Sequence, residues 1–240
     1  FTQDTNPEWS GAGGWNRVGG EGDGSHGELI INGGNLTFTS RMQLGRFNDT
    51  AFAAATPGVG IFKMTGGTYT QQANGFYLAD DNAHGRFDMS GGTFNVLNGG
   101  EFNVGHWDHS EAQADIHGTS LLNLSHFKTG VGHNGGNEVH GITMLRDNVT
   151  VNVANSFHVG ASLDGGVSNT TDGTLTITDN AKVMQSGDNG TGNWGQVGDA
   201  SATGVLNIKG HGLLETSSRL TVGNAGNGTI NISENGTMHV

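Results

Sequence analysis

The sequence predicts an all-β fold, a right-handed parallel β-helix (β-solenoid) of about eight three-stranded coils. Three observations predict it. A short marker, an aliphatic residue followed by Gly or Ala, recurs eight times along the chain. A second apolar alternation recurs out of phase with it. Glycine also supplies 44 of 240 residues, against an ordinary share of about 7%.

The first marker reads Val18-Gly19, Leu44-Gly45, Leu78-Ala79, Val104-Gly105, Val131-Gly132, Val159-Gly160, Val197-Gly198 and Val222-Gly223. The second includes Leu29-x-Ile31, Phe62-x-Met64, Phe87-x-Met89, Ala114-x-Ile116, Ile142-x-Met144, Leu175-x-Ile177, Leu206-x-Ile208 and Ile230-x-Ile232. Turn residues follow it, Gly33-Gly34, Gly66-Gly67 and Gly91-Gly92 early and Asp147-Asn148, Asp179-Asn180 and Asn235-Gly236 later, because Gly, Asn and Asp tolerate positive φ. Five residues after the second marker the chain turns apolar again, at Leu36, Tyr69, Phe94, Leu121, Val149 and Leu213. A third alternation, such as Met42-x-Leu44, Phe76-x-Leu78, Phe102-x-Val104 and Phe157-x-Val159, leads back into the first marker. Each unit thus holds three strands of period two, and helical spacing is sustained nowhere.

Units this short hide an apolar face only by stacking, so their inward residues form columns along an axis. Crossovers between parallel strands favour the right hand, and a strand spacing of about 4.8 Å makes the rod roughly 38 Å long. One solenoid domain is expected over residues 15–240, with residues 1–14 as an N-terminal arm or cap.

Composition excludes other classes. Glycine does not fall on every third position, which excludes collagen. The chain has no cysteine, which excludes a disulfide scaffold. No run of about eighteen apolar residues exists to span a membrane as a helix. A formal net charge of −12 disfavours nucleic acid, whose binding rests on Lys and Arg. The chain opens on Phe1 rather than Met, from which we expect a processed, secreted chain, extracellular or at a cell surface.

The segments "GELIINGGNLTFTSRMQLG", "GRFDMSGGTFNVLNGGEFNVG" and "GVLNIKGHGLLETSSRLTVGNAGNGTINIS" resemble the repeats of large bacterial surface proteins. These are the autotransporter-associated β-strand repeats and the similar repeats of PEP-CTERM-sorted proteins. The resemblance covers roughly residues 15 to 240 and implies the β-solenoid architecture rather than any one activity.

Chemistry is sought in the corners and inserts. The longest inserts are Arg46–Gly60, Ala161–Gly173 and Gly187–Gln196, and none carries a catalytic motif. Of eleven histidines, seven lie between His106 and His158. Counted from the first marker, Asp80, His106 and His133 share one position in three successive coils, with Asp108, His109 and His140 nearby. Imidazole and carboxylate together suit a divalent metal, and the same edge suits a glycan. A column of protonated histidines would repel itself and loosen the region below pH 6. Asp80 and Asp81 with Asp108 would supply the carboxylate pair of a glycoside hydrolase. A lyase acting on polyanions is disfavoured by the scattered basic residues and the negative charge.

The ends complete the reading. The last unit reaches Met238 and Val240 without a polar cap, and Phe1, Trp9 and Trp15 supply enough apolar surface to cover a coil. We expect head-to-tail self-association anchored by those five residues, in a non-enzymatic structural subunit of a surface or matrix filament. The alternative is a carbohydrate-active or carbohydrate-binding β-helix that meets polysaccharide at the His/Asp-rich edge.

Overall fold

The computed structural model describes residues 16–20, 24–46, 56–133, 138–163, 171–187 and 194–240. Phe1, Trp9, Trp15, the 1–14 arm and most of the three long inserts lie outside the described residues. Within them the fold is a parallel β-solenoid, as the repeats predict.

Eight parallel strands form the first sheet: His26–Ile31, Gly58–Met64, Ala83–Met89, Glu111–Ile116, His140–Leu145, Asp172–Ile177, Thr203–Ile208 and Asn227–Ile232. They number the levels of the stack, one to eight. The other two faces belong to a single 14-stranded sheet. It is continuous because Thr93–His106 and Leu121–His133 run from the second face of one level into the third face of the next. At each level the chain passes from the third face to the first sheet and then to the second face. Level two, for example, is Met42–Arg46, Gly58–Met64 and Thr68–Gln71.

Period-two alternation fills the interior. In the first sheet the inward columns run Leu29, Phe62, Phe87, Ala114, Thr143, Leu175, Leu206, Ile230 and Ile31, Met64, Met89, Ile116, Leu145, Ile177, Ile208, Ile232. The aromatic residues of levels two to four pack as a block. Phe62 stacks on Phe87 (4.5 Å between centroids), Tyr69 stacks on Phe94 (4.8 Å), and Phe76 stands edge-on to both Phe62 and Phe94. The one polar atom in this block is satisfied, since the Tyr69 hydroxyl donates to Gln71 Oε1 at 2.9 Å.

Level five departs from the expected register. Ile142 and Met144 were expected inside, but they lie 48% and 39% exposed. The inward residues are Thr143 and Leu145, paired with Ala114 and Ile116. The marker in this level is likewise Thr129-Gly130, not Val131-Gly132, because Thr129 pairs with Val104 and Val159. One interaction explains both shifts. Thr129 and Thr143 are fully buried and share a hydrogen bond of 2.9 Å between their hydroxyls, so two polar residues occupy core positions. On the second face the inward residues include Leu122 and Leu214 rather than Leu121 and Leu213, while at level five both Val149 and Val151 are buried in the core.

Glycine has a specific task at the corner between the third face and the first sheet. The second residue of each marker has positive φ at all eight levels: Gly19, Gly45, Ala79, Gly105, Gly130, Gly160, Gly198 and Gly223. Facing this column is a second one in the first sheet, glycine at every level except Ala112 in level four. A Cβ on Gly130 would collide with the Asp172 carbonyl, and one on Gly141 with the Gly130 amide nitrogen. The two backbones meet with no side chain between them. At level eight the interior columns come to the surface: Val222 and Ile232 are exposed, while Ile230 and Met238 are half-buried against the core.

Candidate functional site

On the third face, the outward residues between the two inward columns are Gln43, Tyr77, Asn103, Lys128, His158 and Gln196, in register over levels two to seven. All six are buried, although they lie on the side of the sheet away from the core. The local pattern is an apolar residue, a polar one, an aliphatic or Thr, then the positive-φ residue, as in Phe102-Asn103-Val104-Gly105.

The polar groups of this row are tied together. Lys128 Nζ lies 2.5 Å from Glu101 Oε1, and Asn103 Nδ2 donates to Glu101 Oε2 at 3.1 Å. Burial acts to raise the Glu101 carboxyl. The Lys128 ammonium and the two hydrogen bonds outweigh it and hold the group down at about 2. Tyr77 lies beneath the Arg41 guanidinium, 4.8 Å from its ring centroid, and burial pushes its phenol up to about 12. His126, bonded through Nδ1 to Ser156 Oγ at 2.7 Å, is pushed below its ordinary value by burial and then by Lys128.

Next to this row lies the corner that carries the predicted site. Asp80 and His106 are Cα partners, with Oδ1 and Nδ1 2.8 Å apart and both side chains buried; Gln43 Nε2 donates to the other Asp80 oxygen. The third expected member is displaced. Val131, not His133, is the partner of His106, a direct result of the Thr129-Gly130 marker. The His133 side chain is outside the described residues.

Asp108 and His109 sit in the turn beside His106, and the Asp108 carbonyl accepts the Asn82 amide at 2.7 Å. His109 pairs with Glu138 (3.0 Å). His140 belongs to the first sheet and pairs with Asp172 (2.7 Å). His84 with Glu111 and His117 with Asp88 follow the same scheme. The expected column of mutually repelling histidines is therefore replaced by histidines each facing a carboxylate. Among the described residues no three His, Asp or Glu side chains gather closely enough to hold a metal ion. Met238 pairs with Leu214 and packs on the core, and Val240 is exposed.

Asp81 is half of a different arrangement. Its Oδ2 lies 3.2 Å from Arg46 Nη2, yet its carboxyl is pushed up to about 6, by burial first and then by Asp80, with Asp108 adding and Arg46 opposing. The backbone of this corner is tightly wound: Ala79, Asp81, Asn82, Trp107 and His109 all have positive φ. Sequence reasoning missed Gln43, Tyr77, Glu101, Asn103 and Lys128. The signal was present in the repeated tetrapeptide, where a polar residue stands between two inward ones; that such residues are buried on their outer side was not visible.

No family model matches the chain, and no curated protein or solved structure matches it either. Among the described residues no helix is long and apolar enough to cross a membrane.

Proposed function

We propose that the chain is a non-enzymatic structural β-solenoid of a bacterial extracellular surface or matrix filament, built by head-to-tail stacking. One observation carries this reading: the levels are interchangeable. Asn227–Ile232 at level eight and His26–Ile31 at level one share the same glycine, aliphatic and isoleucine positions. Val222 and Ile232 are exposed at level eight, and a second copy stacked there in register would cover them. Parallel strands with open edges are templates for such addition. The resemblance to bacterial surface repeats supports the extracellular setting.

Electron microscopy and sedimentation of the purified protein test the reading. Rods longer than one chain are expected, and Val222→Lys with Ile232→Lys should reduce them to single units with unchanged β-sheet circular dichroism. Deleting residues 1–14 then asks whether Phe1 and Trp9 anchor the joint, and Trp15→Ala asks the same of Trp15. A wild type that stays monomeric at its highest soluble concentration overturns the filament.

A second reading, carbohydrate binding or carbohydrate chemistry, is favoured by one feature of the corner at levels three and four. Trp107 stands 36% exposed there, in a turn hydrogen-bonded to the backbone of Asn82.

A further inference from the structure

We propose that the corner joining the third face to the first sheet at levels three and four binds a neutral glycan chain, with the Trp107 indole as platform for one pyranose ring and Asp81, Asn82 and Asp108 as its hydroxyl-binding groups. The inference rests on the carbohydrate reading and is independent of the filament.

Trp107 is 36% exposed in a turn where a bulky residue holds φ at +64°, a conformation such residues rarely adopt. The turn is fixed from both sides. Ser110 Oγ donates to the Trp107 carbonyl at 3.1 Å, and Asn82 N donates to the Asp108 carbonyl at 2.7 Å. The His106 ring lies 5.8 Å from the indole and is itself held by Asp80. The platform is thus preorganised rather than loose.

Asn82 provides an independent observation. The residue is only 9% exposed, and its Nδ2 has no hydrogen-bond partner, although its backbone is fastened to the Asp108 turn. The open amide donor belongs to a residue hydrogen-bonded to the turn that carries Trp107, where a ligand hydroxyl would complete it. Asp81 and Asp108 lie within electrostatic reach of each other. With its carboxyl pushed up to about 6, Asp81 carries a proton part of the time near neutral pH and can donate as well as accept.

The charge of the corner selects the ligand class. Asp80, Asp81 and Asp108 face two cations, Arg46 and, when protonated, His106, and the whole chain is acidic, so a uronate polymer is repelled. A pyranose offers the complementary pattern, with an apolar C–H face for the indole and hydroxyls at its edge for the carboxyl and amide groups. The shallow depression on the first sheet near Lys63, Asp88 and His117 is less suited, because its ionic groups already pair, Lys63 with Glu28 and His117 with Asp88.

The test titrates the full chain by calorimetry with cellohexaose, xylohexaose, mannohexaose and chitohexaose, with hexagalacturonate as the anionic control. At least one neutral hexasaccharide should bind. Trp107→Ala should weaken it about tenfold or more, Trp107→Phe should retain most of the affinity, and Asn82→Ala should weaken it, while both Trp107 variants keep the wild-type melting midpoint. If a neutral sugar binds but Trp107→Ala binds equally well, this site is wrong while the carbohydrate reading stands. If none of the four binds, or hexagalacturonate binds best, both fall. Rods formed by the same Trp107→Ala sample report on the filament separately.

Discussion

Levels two to four and levels five to seven enclose the same three-sided cross-section with different materials. The first group fills it with Phe62, Tyr69, Phe76, Phe87, Phe94 and Phe102. The second uses Val151, Leu175, Val183, Val197 and Leu206, keeps Phe127 and Phe157 in one column, and inserts the Thr129–Thr143 pair. Volume is traded between columns rather than held constant at each position. Ala112 and Ala114 accompany the rings at level four, and Gly195 at level seven leaves room for Leu220 below, whose Cδ1 a Cβ there would meet at 2.7 Å. The backbone spacing is common to all levels, so the side chains must add up to a common filling.

The largest effect expected is in the aromatic block. Phe76→Ala removes a ring that stands edge-on to five aromatic neighbours and should cost about 3–5 kcal/mol in chemical denaturation. Equal stability of this variant and of Val183→Ala would erase the distinction between the two groups. Next comes the register of level five. Leu145→Ala should cost about 2–5 kcal/mol, and Ile142→Ala, on the exposed side, under about 0.5 kcal/mol; the reverse order would restore Ile142 to the core.

The threonine pair gives a smaller and more diagnostic result. Thr129→Val or Thr143→Val alone strands a buried hydroxyl and should cost about 1–3 kcal/mol, while the double variant should recover most of that loss. Additive losses in the double-mutant cycle would mean that the two hydroxyls are not each other's partner.

The slightest effect at neutral pH is the difference in titration. Glu101, held at about 2 in the folded chain against about 4.5 unfolded, contributes stability that is present above pH 4.5 and lost as pH falls through 2. Asp81 runs the other way: raised to about 6, it makes the fold relatively more stable as pH falls from 6 towards 3.8. Melting midpoints of wild type and Glu101→Gln between pH 5 and 2 should therefore converge at the acid end, whereas parallel curves would contradict the Glu101 assignment.

The aromatic group was also the more legible one. Where rings and aliphatics alternate with polar residues, as in Phe62-Lys63-Met64, the strand has a single reading. Level five offers two, because Ile142 and Met144 imitate an inward pair and Thr143 does not resemble a core residue. Turn spacing would have resolved it: Ile31, Met64 and Leu145 all stand two residues before the first turn residue, Gly33, Gly66 and Asp147. At the corner, Asp80 with His106 was legible from the stacking of markers, and His133 was not, since its placement inherited the error at Thr129. The outer row from Gln43 to Gln196 was the least legible. Polar residues on a strand ordinarily mean solvent, and their burial depends on what crosses them rather than on the strand itself.

The paired glycine columns have a practical consequence. Each peptide that leaves the third face sets off from one fixed point and returns at another, and both feet are clamped by main chain alone. At level three that excursion is as short as Asp80 to Ala83, while at level two it spans Arg46 to Gly58. Loop closure grows only by about 0.6 kcal/mol for each doubling of length, so foreign segments could be grafted there as cassettes with little disturbance to the barrel of side chains behind. The seam acts as a row of sockets, and diversity can be plugged into it level by level.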